Sequence, residues 1–271
     1  MTRVPQAIVS NPLREPRVVA RRYVAYSLVV LLVLGMSYHL LAVETDWARM
    51  GSFSEIAENT SSLLPNLSFV PKIIAPLMET ALIAFWGTLL AVVLSIPVAY
   101  ISATTTTPSM LLAFPVGKAI VVGSRSTHEI IFALIFVAAL GLGPLPGILA
   151  LACRSIGFMS KTSAEAIENI DRRPVEAIVS TGAGAVSRFL FGVVPQVLPI
   201  FLGNAIFQFD INIRRAAILG MVGAGGIGLH FSEQMKVYNY DNAGACVLAV
   251  VTLVVVGEVI SNRLRSKLIA G

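Results

Sequence analysis

Charge is what this 271-residue sequence lacks most: Asp, Glu, Lys and Arg together make up 13%, about half of the roughly 25% found in ordinary soluble domains. Hydrophobic residues reach 56% and mean hydropathy is +0.80. Too little polar surface remains to cover a water-facing globule, so the chain reads as an integral membrane protein. Cysteine is nearly absent. Cys153 and Cys246 lie far apart, each inside an apolar stretch, which supports neither a disulfide framework nor a zinc site. His39, His128 and His230 share no ligand spacing, and no metal is expected. No G-x-x-x-x-G-K-S/T string occurs, so the chain cannot cradle ATP itself. The strings H-E-x-x-H and G-x-S-x-G are missing too, which removes the usual signatures of an intramembrane enzyme. No internal repeat is visible, and with it goes the main support for a secondary transporter built on inverted repeats.

What is present is a series of apolar runs with basic ends. The net charge of +5 and pI near 9.5 follow from those ends, which is how cytoplasmic flanks of membrane helices are charged, and no nucleic-acid partner is implied. Tyr23 to Val43 contains no Asp, Glu, Lys or Arg and is long enough to cross about 30 Å of hydrocarbon. Arg14, Arg17, Arg21 and Arg22 precede it, predicting a retained first helix with a cytoplasmic N-terminus. Glu44 to Lys72 is polar and net acidic, with Glu44, Asp46, Glu55 and Glu58 against Arg49 and Lys72, and suits an external loop. Ala81 to Ala103 is the second helix. Arg172, Arg173 and Arg188, like Arg263, Arg265 and Lys267 in the tail, favour the cytoplasm, so an even number of crossings separates Ala103 from Asp171. Helix three is therefore expected near Ser126 to Leu140, a tight external turn at Gly141, Gly143, Pro144, Pro146 and Gly147, and helix four from Leu145 to about Ile167. Phe189 to Phe209 gives helix five and Ala243 to Ile260 helix six. Ala216 to Ser232, interrupted by Gly220, Gly223, Gly225, Gly226 and Gly228, reads as a broken or re-entrant element. The expectation is an all-α polytopic membrane protein with six transmembrane helices and both termini inside.

The segment Asp171 to Pro199 combines Pro174 and Glu176, suited to a helix start, with a break at Gly182 and a resumed helix from Val186 to Phe191. Composition alone allows an ordinary basic loop at lipid headgroups. Glu176, Ala177, Gly182 and Pro195 also stand at the spacing of the EAA signature of ATP-binding-cassette importer permeases, which the segment resembles. Ile178 and Val194 depart from the usual Ala and Leu. GMVGAGGIG, from Gly220 to Gly228, is similar to the glycine-rich element of that superfamily. WGTLLAVVLSIPVA, HEIIFALIFVAALGLGPLPGILAL and VPQVLP resemble more narrowly the permeases of phosphonate, phosphite and phosphate importers, over roughly Glu79 to Leu264. The resemblance implies a type I importer fold like that of methionine-importer permeases, with residues 1–72 as an N-terminal part and 73–271 as the permease core. It also implies a coupling segment at about residues 171–188, involving Glu176, Ala177, Gly182, Pro195, Arg172 and Arg173. Two permease copies would sit over two ATPase subunits that carry ATP and Mg, fed by an external binding protein, in the cell membrane. A permease for another small solute (amino acid, quaternary amine or sulfonate) is the nearest alternative, and a secondary transporter a more distant one.

Charges inside apolar segments mark a pathway or its support. Asp210 and Arg214 stand i, i+4, expected as an ion pair at the outer end of helix five, with Arg215 beside them. In a two-fold dimer these arginines could also meet an oxyanion. Arg125 and Glu129 repeat the spacing and the same two options. Arg154 must face protein or a cavity, with no partner named. Asn204 and Gln208 are candidates for pathway lining or for hydrogen bonds between helices. Gly223, Gly225, Gly226 and Gly228 either line a gate or fit helices together. Although Gly223, Gly225 and Gly228 match G-x-G-x-x-G, the chain has no alternating strand and helix pattern to make that a dinucleotide site.

Overall fold

The computed structural model describes residues 16–45, 47 and 51–270, and every regular element among them is helical. The chain separates into two compact units, Met1–Asn59 and Thr60–Gly271. In the first, α1 (Pro16–His39) runs on through a π-helical turn, Leu40–Glu44, and its apolar side chains from Tyr23 onward are exposed. Arg14, Asp46 and Arg49 lie outside the described residues, and the side chain of Arg17 is likewise not described. Helix α2 spans Phe53–Ser61.

The second unit holds α3 (Val70–Ser102), α4 (Ala113–Ser126), α5 (Glu129–Leu140), α6 (Pro144–Glu168), α7 (Arg172–Ser180), α8 (Ala185–Arg188), α9 (Val194–Gly220), α10 (Gly226–Lys236) and α11 (Tyr240–Ala270). A π-helical turn, Phe189–Val193, joins α8 to α9. Four stretches are long and apolar enough to cross a membrane: Arg21–Glu44, Leu67–Ser102, Ala185–Gly220 and Tyr240–Lys267. The α4 and α5 pair makes a fifth if its bent halves count as one crossing. Helix α6, with 25 residues, is long enough for a sixth, though Arg154 and Lys161 lie within it.

Three boundaries differ from the sequence expectation, each for a local reason. Helix three begins at Glu129, three residues after Ser126, and runs to Leu140 as α5. The chain turns by 93° between α4 and α5, because Thr127 and His128 are extended and the His128 ring caps α5, its Nδ1 accepting from the Ile130 N–H at 3.3 Å. Helix two starts at Val70 rather than Ala81, behind a short turn that Asn66 caps by accepting from the Ser68 N–H at 3.1 Å. Helix five does not stop at Phe209. It continues as α9 to Gly220, since its polar side chains find partners within the bundle.

Helices α3 and α6 form the most extensive pair, with α9 against both. Small residues allow the close approach: a Cβ at Gly87 would meet the Leu151 side chain at 2.8 Å, and one at Gly147 the Ala224 carbonyl at 2.8 Å. The core formed by Ile83, Leu151, Ile213 and Leu219, filled in by Ala84, Ala133, Ala150 and Ala216, takes in the last third of α9.

Candidate coupling and translocation sites

At the end of the bundle that carries α7, the Asp171 side chain caps the helix by accepting from the Arg173 N–H at 3.0 Å, and the Arg173 guanidinium folds back onto the same carboxylate at 2.9 Å. Those two contacts, the guanidinium first, hold the Asp171 carboxyl below its ordinary range. Arg172, Glu176 and Ala177 are exposed, whereas Val175 and Ile178 turn inward onto Gly192, where a Cβ would meet the Val175 side chain at 3.1 Å. Gly182, at φ +76° with open space around it, makes the bend toward α8 that a side chain would strain. Pro195 occupies the first turn of α9, and Gln196 follows it. The Gln196 amide grips the α7 entrance from both sides: its oxygen accepts from the Asp171 N–H at 3.0 Å, and its nitrogen donates to the carbonyls of Asp171 at 3.1 Å and Gly192 at 2.7 Å. A cavity of about 560 Å³ lies behind α7, lined by Tyr100, Glu168, Arg172, Glu176, Arg188 and Phe189 among others.

Deeper in the bundle, a hydrogen-bonded knot ties three helices. Asn212 on α9 donates to Thr88 of α3 at 2.9 Å and to Ser155 of α6 at 3.0 Å, and Gln208 donates to Ser155 at 2.9 Å. Gln208 and Asn212 are fully buried. Thr88 is near the midpoint of the 33-residue α3, and a Cβ at Gly257, midway along α11, would meet Ile213 at 2.6 Å. This level is therefore the middle of the bundle, and Asp210, Arg214 and Arg215 sit there rather than at the outer end of helix five. Asn204, by contrast, lines a cavity of about 370 Å³ with Thr162, Glu165, Asn169, Asp171, Gln196 and Ile200 among others.

Around the knot lies a cluster of charge. Asp210 pairs with Arg214 on the same helix, and Arg214, about half exposed, borders an apolar cavity of about 270 Å³. Arg215 turns the other way: its Nε is 3.1 Å from Glu129 Oε1. Glu129 Oε2 lies 3.7 Å from the Arg154 Nε and 3.8 Å from the His128 ring. The expected Arg125–Glu129 pair does not form, because the bend between α4 and α5 removes the helical register that the spacing presupposes, and among the described residues Arg125 has no ion pair. Glu129 is buried and opens α5, where a carboxylate is favoured by the helix dipole.

The family model of binding-protein-dependent transport system inner membrane components matches residues 98–269. The chain belongs to that family. It is 39% identical over 201 residues to a phosphite transport system permease protein of Stutzerimonas stutzeri, covering 74% of this chain and 73% of the relative. A putative phosphite transport system permease protein of the same organism is 33% identical over 97% of this chain and 93% of its own length. Among solved structures, an inward-facing form of the MetNI methionine ABC transporter matches with a TM-score of 0.63 and 20% identity, over 72% of this chain and 95% of that one. The fold is thus that of a type I ABC importer permease, and the chain is a membrane permease.

At the glycine-rich end of the permease, Gly223, Gly225 and Gly226 all take positive φ. The Gly143 N–H donates to the Gly223 carbonyl at 3.1 Å, so the two glycine-containing turns meet. Thr80 on α3 accepts from the Ile227 N–H at 2.8 Å. At Gly228 a Cβ would fall on the Ala217 carbonyl, and at Gly225 it would lie 2.9 Å from the Pro144 nitrogen. Sequence reasoning missed Thr88, Ser155, Asn212 and Gln196. The signal available was the isolated polar residue in an apolar run, which names a side chain but no partner.

Proposed function

We propose that this permease is the transmembrane subunit of an ATP-driven importer for phosphite, phosphonate or phosphate. Two copies form the pathway, an external binding protein delivers the anion, and α7 couples the pair to two separate ATPase subunits that bind ATP and Mg. The substrate class is supported by the names of the relatives and by arginines at the middle of the bundle, since guanidinium forks suit tetrahedral oxyanions. The N-terminus and the tail with Arg263, Arg265 and Lys267 face the cytoplasm by the same bias that puts α7 there. In this reading Asn204 borders the route, Arg214 reaches toward the second copy, and the glycine turns close the outer end.

The observation that carries the coupling role is the two-sidedness of α7. Its outer face is exposed and carries Arg172, Arg173 and Glu176, and it is fastened to α9 by Gln196 and to the π-helical turn before α9 by Val175 against Gly192. An amphipathic helix so mounted fits a groove on a partner and passes its displacement on as a rigid body. In vesicles holding the permease with its ATPase and binding protein, ATP-dependent uptake of labelled phosphite, phosphate or methylphosphonate is expected. Glu176→Lys should insert normally yet lose most uptake, on the order of tenfold or more as for a reversed interface charge. Failure of the wild-type complex to import any of the three anions refutes the substrate, and normal uptake by Glu176→Lys refutes the coupling role.

A further inference from the structure

Arg154 and Arg215 approach the same carboxylate, and both do so through Nε, at 3.7 and 3.1 Å. Among the described residues, no hydrogen bond leaves a terminal guanidinium nitrogen of either arginine. Their side chains are 23% and 21% exposed, against 10% for Glu129. Two cations thus share one anion in the interior of a membrane protein, with the fork end of each guanidinium still available. Asp210 does not redress the balance, because it is already paired with Arg214. His128, the remaining neighbour of Glu129, adds no negative charge.

The geometry points to Arg154 and Arg215 as a binding site for the transported oxyanion, with Glu129 as a built-in stand-in that occupies them while the site is empty. This rests on the oxyanion reading of the preceding subsection. An anion that arrives supplies the missing negative charge and takes the free forks, which bind a tetrahedral oxyanion in bidentate fashion. Two bare guanidinium groups at this depth would repel each other when empty and trap the anion when full. A carboxylate between them remedies both, since it neutralises one charge in the empty state and competes for the arginines in the filled state, keeping binding weak enough for release. Glu129 is also the one ion-pair tie from α5 to α9 among the described residues. Surrender of Arg215 to the anion therefore loosens α5 from the helix that α7 moves.

The test is anion binding and uptake by the permease–ATPase complex in nanodiscs and vesicles, with phosphate, phosphite and methylphosphonate as probes. Glu129→Gln removes the competing charge and keeps the shape. It should bind the best of the three anions about tenfold more tightly than wild type while maximal uptake falls about tenfold, the scale of one lost close charge pair. Adding Arg215→Gln should abolish the tighter binding. Arg154→Gln leaves Glu129 and Arg215 as a balanced pair, so it should assemble at wild-type levels and lose anion binding by about tenfold or more. Unchanged or weaker binding by an assembled Glu129→Gln complex overturns the proposal. If that variant fails to assemble, Arg154→Gln decides: wild-type binding and uptake overturn the site, and loss of both with normal assembly supports it. A wild-type complex that imports none of the three anions overturns the substrate reading instead, and this site with it.

Discussion

The two ends of the Gln196-to-Arg215 stretch of α9 are held in opposite ways. At Gln196 the helix meets the start of α7 through one side-chain amide bonded to backbone groups on a largely exposed surface, across 25 residues of sequence. Around Gln208 to Arg215 it meets α3, α5 and α6 through buried side chains drawn from positions far apart. A surface joint can be lost without unfolding the protein, because water replaces what is broken. A buried polar joint cannot, because each abandoned group stays desolvated. Damage at the first end should therefore appear in coupling, and a substitution that leaves an interior group without its partner should appear in assembly.

The largest effect expected on this contrast is Gly228→Val. Its side chain has to enter the space of the Ala217 carbonyl, and overpacking of this kind costs about 1–3 kcal/mol or more. Yield of assembled complex, measured by size-exclusion chromatography, should drop severalfold, and a normal yield would break the contrast. Next comes Gln196→Met, close in size but unable to hold the backbone of Asp171. Assembly should stay near wild type while the ratio of anion imported to ATP hydrolysed falls several-fold, as expected from losing a few hydrogen bonds of about 1 kcal/mol each. Loss of assembly in this variant would show that the α7 end is as structural as the interior.

The smallest effect belongs to Asp171→Asn. Asparagine still caps a helix but loses the pairing with Arg173, and exposed pairs contribute little. Uptake should change by less than about twofold near neutral pH. The sign of the pH dependence follows from the lowered carboxyl: its contribution is present throughout the neutral range and is lost only as pH falls through the folded value, below the ordinary carboxylate range. Uptake by wild type and variant should then converge in strong acid. An equal gap between them at all pH values would show that the carboxylate charge is irrelevant.

The same contrast explains what could be read in the sequence. The helical class, the apolar spans and a turn after Leu140 follow from composition and periodicity, which are local, although the turn ends at Gly143 and the expected Pro144, Pro146 and Gly147 belong to the start of α6, where proline suits a first helical turn. So does the α7 bend, since Pro174, Glu176 and Gly182 lie within one short segment. A sequence reading ends helix five at Phe209, however, only if Asp210, Arg214 and Arg215 are counted as costs without partners. Their partners come from other elements or from an adjacent turn, which hydropathy does not see. Glu129 is conspicuous by charge, yet the i, i+4 rule joins it to Arg125, and the rule fails where Thr127 and His128 break the helix. Arg154 and Glu129 stand on separate helices and meet only after folding.

The 27 residues of α9 make a continuous rod of about 40 Å at ~1.5 Å per residue. Between Gln196 and Arg215 the span is about 28 Å by the same rise. Pivoting at Gln196 through only about 6° sweeps Arg215 sideways by about 3 Å, as much as its whole separation from Glu129, 3.1 Å. A displacement too small to unseat a single helix–helix contact near α7 thus arrives at the other end large enough to part an ion pair. Distance along one helix supplies the mechanical gain.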